Sequence, residues 1–171
     1  MTIERAEPAY ELPERTMLEA WLDYERATLA VKCDGLDDNQ LRTRAVPPST
    51  MSLLGLVRHM ADVESYWFRK VLSATADTQI YWNDEDPDGD FDNVDDASME
   101  TDFATWRGEC DNARAVATRM SLDDCGERTG DDEETERVSL RWVFVHMIEE
   151  YARHNGHADL LRQCIDGVTG E

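Results

Sequence analysis

A chain of 171 residues, of which 41% are hydrophobic, can bury the core of one domain, so we expect residues 1–171 to form a single domain. Its formal net charge of -21 repels phosphate, which excludes nucleic acid and anionic membranes as partners. We expect no signal peptide and no membrane span, because the N-terminus lacks a basic start and no window is apolar enough. The four cysteines form no Cys-x-x-Cys pair, so we expect reduced thiols and a cytoplasmic location.

Two long helices are predicted in the first half of the chain. The first runs from Pro13 to Cys33, because proline suits the first helical turn and Asp34-Gly35 suits the end. The second runs from Leu53 to Leu72, after Pro47-Pro48, because its apolar residues recur at helical spacing. His59 lies within the apolar face of this second helix.

Two more helices are predicted in the second half, each preceded by an acidic loop. The third runs from Ala97 to Met120 after a loop over 74–97, and the fourth from Ser139 to Ile165 after a loop from Ser121 to Arg137. No strand-length alternation competes with this assignment. Four helices of about 20 to 27 residues predict an all-α fold, a four-helix bundle with long acidic loops between helices 2 and 3 and between helices 3 and 4.

The acidic run from Asn83 to Asp90 could be a calcium loop or a solvated loop. Counted from Asp84, Gly89 falls at the sixth position, which an EF-hand reserves for glycine, but Asp95 stands at the twelfth position instead of glutamate. Matched EF-hand helices are also missing on its two sides. We therefore favour a solvated loop, which at the end of a bundle could form a lid or a partner surface.

The fourth predicted helix carries three of the chain's four histidines, His146, His154 and His157. His146, Glu150 and His154 recur every four residues, so their side chains lie on one face of the helix. Two metal-capable side chains on one helix and a third from a facing helix are how bundles build a metal site, and His59 is the candidate third ligand. Two histidines and a carboxylate leave coordination positions open for water or substrate, which is typical of a catalytic site.

His146 and His157 cannot easily bind the same ion, because a helix separates them by about 16 Å along its axis. His146 could be a core residue or a neighbour of the ligands. His157 could donate a hydrogen bond to a ligand or line a pocket. We expect Glu149 to be solvated or paired with Arg153.

The segment 56–64, Leu-Val-Arg-His-Met-Ala-Asp-Val-Glu, together with the last-helix pattern at 146–157, resembles the DinB/YfiT-like superfamily over nearly the whole chain. The string at 149–162 is similar to an actinobacterial branch of DinB-like proteins. The resemblance implies a divalent metal ion bound by His59, Glu150 and His154, with zinc expected and nickel or iron open. Most members have histidine where this chain has Glu150, although the mycothiol-dependent maleylpyruvate isomerase similarly uses glutamate there. The carboxylate leaves the identity of the metal open.

Characterised members of the superfamily are thiol S-transferases and thiol-dependent isomerases. The resemblance implies that the metal binds a low-molecular-weight thiol, mycothiol being expected, and presents it as a thiolate to a small electrophile. His146 or His157 would then transfer the proton. Two alternatives stay open: a non-catalytic bundle with a structural metal and acidic loops that bind a partner, and a bundle whose histidines are core residues without metal. Relatives are often dimers, so a homodimer is also open.

Overall fold

The computed structural model describes residues 4–76, 78–130 and 134–170 of the chain. It contains helices α1 (Glu14–Cys33), α2 (Asp38–Arg42), α3 (Leu53–Glu64), α4 (Gly89–Asp92), α5 (Met99–Ala117) and α6 (Leu140–Asp166). A π-helical segment, Ser65–Leu72, continues α3, and strands β1 (Cys125–Thr129) and β2 (Thr135–Ser139) precede α6. The four predicted long helices are therefore confirmed, with ends that differ by a few residues.

Two serines and a glycine set the ends of the helices that carry the site. The Ser52 hydroxyl accepts a hydrogen bond from the Gly55 N–H at the start of α3, and the Ser139 hydroxyl accepts one from the Trp142 N–H at the start of α6. Gly167 ends α6 in the left-handed conformation, with φ 81°, which glycine adopts without strain. The ends of both helices thus follow from the local sequence.

The long helices pack around one apolar core. Helix α6 lies against α1 and α3, while α3 and its π-helical continuation lie against α5. Leu29, Leu53, Met60 and Met147 are among the fully buried side chains. The packing of α3 against α6 brings the two histidine-bearing faces together.

The all-α prediction is wrong in one respect, because β1 and β2 form an antiparallel hairpin inside the predicted loop 121–137. Cys125 pairs with Ser139 and Thr129 with Thr135. Most hairpin side chains are polar, and Val138 is the one buried hydrophobic side chain among the residues of the two strands, so the strands lack the alternation of apolar and polar residues that marks a half-buried strand. The hairpin is fixed instead at Gly126, where an added Cβ would lie only 2.0 Å from the Val71 carbonyl oxygen. Residues 131–133 of the predicted loop lie outside the described residues.

A polar network crosses the core between α1, α3, α5 and α6. The Arg26 guanidinium donates to both carboxylate oxygens of Glu64, from Nε and Nη2, at 2.7 Å each. The Tyr151 hydroxyl donates to Glu64 Oε1 at 2.8 Å and accepts from the Trp106 indole N–H at 2.8 Å. Glu64 and Tyr151 are both fully buried. No helix in the described part of the chain is long and apolar enough to cross a membrane.

Candidate metal centre

The three predicted ligands come together between α3 and α6. His59, Glu150 and His154 each offer a donor atom within 4.8 Å of the other two. His154 Nε2 lies 3.5 Å from Glu150 Oε2, because the two residues are one helical turn apart. The ring centroids of His59 and His154 are 4.7 Å apart and the rings are tilted by 56°. All three side chains are partly buried, so one side of the group remains open.

In both His59 and His154 the outer ring nitrogen, Nδ1, already has a partner. His59 Nδ1 lies 2.7 Å from Asp90 Oδ2, and His154 Nδ1 lies 3.4 Å from His157 Nδ1. Each ring therefore keeps its Nε2 for the centre of the group. Histidines that bind metals are commonly held in this way, with a carboxylate or another acceptor on the second ring nitrogen. The arrangement fits a divalent metal ion with two Nε2 ligands and one carboxylate.

His154 is held in the form that binds metals. Burial, together with the nearby His59 and His157 rings, lowers the pKa of His154 to about 4. Its imidazole is therefore neutral near pH 7 and keeps a free lone pair. His157 contacts this ring, which is one of the two roles that the sequence left open for it.

Asp90 is a site residue that the sequence did not predict. The acidic run was expected to be solvated, yet Asp90 is only 4% exposed and reaches back to His59. Next to Asp90 the loop packs closely on itself at Gly89, where a Cβ would lie 2.5 Å from the Tyr81 carbonyl oxygen. The ring of Phe91 stacks on His59 at 5.1 Å. Phe91, a large apolar residue directly after the acidic run, is the sequence signal that could have marked the return of the loop to the core.

The rest of the acidic run makes turns at the surface. Asn83 and Asp86 exchange backbone hydrogen bonds, and Asn93 Nδ2 donates to the Asp86 carboxylate at 2.6 Å. Within the described ranges, the groups of side chains that could hold a metal ion do not include Asp84, Asp86 or Asp88. The solvated-loop interpretation therefore applies to this part of the run, and Asp90 is the exception.

His146 lies one turn before Glu150, between two tryptophans. Its ring stacks on Trp142 at 4.8 Å and meets the edge of Trp67 at 4.7 Å. His146 Nε2 lies 3.9 Å from Glu150 Oε1. Burial lowers the pKa of His146, while the Glu150 carboxylate opposes this shift. The His146 ring therefore lies beside the group formed by His59, Glu150 and His154 but is not part of it. His146, Glu149 and Glu150 form a second, more exposed set of potential donors.

Glu149 and Arg153 form the pair that the sequence suggested. The Arg153 guanidinium donates to the Glu149 carboxylate and also lies 3.6 Å from Glu150 Oε1. About half of the Arg153 and Glu149 side chains is exposed. The pair thus lies at the rim of the centre, where solvent weakens its contribution.

A cleft of about 420 Å³ opens beside His59. Its floor holds Asp62, which accepts hydrogen bonds from the Ile80 N–H at 2.8 Å and the Tyr81 N–H at 3.2 Å. The pKa of Asp62 is raised to about 6, because burial and the neighbouring Asp90 carboxylate outweigh the effect of the two N–H donors. The cleft is large enough for a small aromatic molecule.

Two of the chain's cysteines are inert in this structure. Burial raises the pKa of Cys33 to about 12. Burial also raises the pKa of Cys110 to about 12, and the nearby Glu64 carboxylate adds to the shift. Both thiols stay protonated near pH 7, so neither is an attacking group. The other two cysteines, Cys125 and Cys164, belong to neither group of side chains that could hold a metal ion, so a thiol at this centre would come from a bound molecule.

A family model described as Mycothiol-S-transferase matches residues 17–167. The chain belongs to this family. The matched range includes most of α1 and all of α3, α5 and α6. It therefore includes His59, Glu150 and His154. The family is part of the DinB/YfiT-like superfamily, which confirms the resemblance found in the sequence. Membership in the mycothiol S-transferase family indicates a small-molecule thiol, mycothiol, as substrate. No curated protein sequence matches the chain significantly.

Proposed function

We propose that the protein transfers mycothiol to a small electrophile at a divalent metal centre formed by His59, Glu150 and His154. The observation that carries the proposal is the convergence of these three donors from two helices, with the outer nitrogens of both histidines already engaged. Family membership supports the choice of thiol, and it favours transfer over thiol-dependent isomerisation. In this proposal the four long helices form a DinB/YfiT-like bundle that holds the two ligand-bearing faces in register.

A divalent ion in this site would lower the pKa of a coordinating thiol, so that the thiol is deprotonated near pH 7. The protein orients the two histidine rings toward such an ion. Asp90 and His157 fix the rotation of the two ligand rings through their Nδ1 atoms. Two histidines and one carboxylate suit zinc best, and nickel or iron also accept this set.

In the proposed reaction His146 accepts the proton of the thiol. It lies one turn before Glu150 on the same helix face, and an imidazole is suited to accept a proton near neutral pH. A carbon–sulfur bond forms between the thiol sulfur and the electrophilic carbon. The leaving group departs with the electron pair of its bond to that carbon, and His146 takes the thiol proton. His157 acts through its contact with His154.

The first experiment measures metal content and mycothiol conjugation on protein prepared without a histidine tag. We expect about one divalent ion per chain and conjugation of 1-chloro-2,4-dinitrobenzene. His59→Ala, Glu150→Gln and His154→Ala should lose the metal and fall to the uncatalysed rate. Asp166→Asn is the matched control, because Asp166 lies on the same helix, pairs with Arg162 at 2.9 Å and belongs to neither set of potential metal donors. Its metal content and rate should match those of the unmodified protein.

Two outcomes would contradict the proposal. If chelation lowers the melting temperature while no thiol binds, the metal is structural and the protein is a non-catalytic bundle. If tag-free protein contains no metal and binds none on titration, the histidines are core residues.

A further inference from the structure

The cleft beside His59 has aromatic walls on both sides. Tyr66 and Trp67 from the π-helical segment form one wall, together with Val63 of α3. Trp82 and Pro87 from the acidic loop form the other wall. A volume of about 420 Å³ lies within the range of small-ligand sites. The shape therefore suits a flat molecule that lies between rings.

Trp82 is the side chain that structural packing does not explain. Trp67 packs against Tyr66, Trp142 and His146. Among the described residues, by contrast, the Trp82 ring stacks on no other ring and its indole N–H has no hydrogen-bond partner. The side chain is nevertheless only partly exposed. Trp82 thus offers its ring to a molecule in the cleft.

The charges around the cleft are mostly negative. Asp62 and Asp90 lie at its floor, and no arginine or lysine is among the described residues that line it. Lys70 lies outside, at 5.5 Å from the centroid of the Tyr66 ring. Three exposed acidic side chains flank the loop wall, namely Asp84, Glu85 and Asp88. A divalent ion held by His59, Glu150 and His154 would leave one net positive charge beside the cleft, which is fewer than the negative charges of Asp90 and the three loop carboxylates. A negatively charged substrate would therefore meet net repulsion, strongest at the mouth.

We propose that this cleft binds the electrophile and selects planar, uncharged aromatic compounds. The ring stacks on Trp82, and aromatic acids are disfavoured by the surrounding carboxylates. The reaction part of this inference rests on the proposed function, but the binding part does not. With an aryl chloride, the carbon–sulfur bond forms, the carbon–chlorine bond breaks, chloride leaves with the electron pair, and His146 accepts the thiol proton.

Selectivity is tested with two electrophiles of nearly equal shape, 4-chloro-3,5-dinitrobenzamide and 4-chloro-3,5-dinitrobenzoate. Each kcat/KM with mycothiol is divided by the uncatalysed rate constant, which removes the difference in intrinsic reactivity. We expect the amide to be preferred by about fivefold or more at low salt, and the preference to shrink as NaCl rises from about 20 to about 500 mM. Equal corrected values for the two electrophiles would overturn the charge part of the inference.

Variants of the loop wall separate stacking from charge. Trp82→Ala should raise KM for the amide by about three- to tenfold, while Trp82→Phe keeps most of the stacking. Trp21→Ala is the matched control, because Trp21 lies on α1 and contacts Tyr24. In a triple variant the exposed carboxylates become amides, Asp84→Asn, Glu85→Gln and Asp88→Asn. This variant should raise kcat/KM for the benzoate and leave that of the amide unchanged.

Binding of the unreactive compound 3,5-dinitrobenzamide distinguishes this inference from the proposed function. We expect calorimetric binding that weakens in Trp82→Ala, and weaker binding of 3,5-dinitrobenzoate. If the benzamide binds in this way while no thiol is transferred, the cleft is correct and the proposed reaction is wrong. If thiol transfer occurs but Trp82→Ala changes neither KM nor binding, the reaction stands and the cleft assignment is wrong.

Discussion

The ion pair between Arg26 and Glu64 is buried so deeply that each partner should depend on the other. Glu64 is fully buried and Arg26 is 5% exposed. Burial alone lowers the pKa of Arg26, but attraction by Glu64 overcomes this and holds the pKa well above its ordinary value. Arg26→Met removes both guanidinium hydrogen bonds from the Glu64 carboxylate. Because Glu64 is fully buried, bulk solvent does not reach the carboxylate to replace them. Of its strong donors, only the Tyr151 hydroxyl would remain.

The expected losses of unfolding free energy follow from the contacts of Arg26 and Glu64. Leaving one charge of a buried pair uncompensated costs about 3–5 kcal/mol of unfolding free energy. We expect about 4 kcal/mol for Arg26→Met and about 3 kcal/mol for Glu64→Met, because Arg26 keeps its contact with Asp23. The double variant removes both charges and leaves one hydroxyl without an acceptor, so it should cost only about 2 kcal/mol. The double variant should therefore be more stable than either single one.

Urea unfolding followed by circular dichroism measures these free energies. Metal-free protein is used for all variants, because metal binding would add its own stabilisation. Arg114→Met is the matched control, since Arg114 pairs with Asp111 at 2.8 Å on the surface and should cost less than about 1 kcal/mol. Single-variant losses below about 1 kcal/mol, or a double variant that costs the sum of the two, would refute the argument from burial.

Two further results are expected from the same structure. Asp90→Asn should weaken zinc affinity by about 10–100-fold in a competition titration, because the ligand imidazole loses its carboxylate partner. Asp92→Asn, an exposed change in the same short helix, should leave the affinity unchanged, and an equal loss in both variants would show that Asp90 has no special role. At pH 8 a thiol-labelling disulfide should modify Cys164 at once but Cys33 and Cys110 only after unfolding, because burial keeps those two thiols protonated. Rapid labelling of either buried cysteine in the folded protein would contradict the burial that the structure assigns to it.

The sequence predicted those features that depend on neighbours within one helix. Glu150 and His154 share a face because four residues make about one helical turn, whatever the rest of the chain does. The ends of α3 and α6 follow from Ser52, Ser139 and Gly167 for the same local reason. The approach of His59 to this pair was expected from its position on an apolar face and from the resemblance to a known superfamily.

The hairpin and the roles of individual acidic residues could not be predicted in this way. The strands β1 and β2 consist mainly of polar residues on both faces, so their pairing depends on contacts with the π-helical segment, which include the close approach of Gly126 to Val71. An assignment from sequence patterns therefore predicts only a polar loop at the residues of β1 and β2.

By itself, the sequence determined four helices, two candidate ligands one turn apart on the last helix, and a third candidate on the second. Only the tertiary structure decided that Asp90, one carboxylate within an acidic run, turns inward to His59 while its neighbours stay at the surface. The physical reason is that helix periodicity acts between residues a few positions apart. The choice among similar aspartates depends instead on how closely the loop can approach α3, where a Cβ at Gly55 would lie only 3.0 Å from the Phe91 ring.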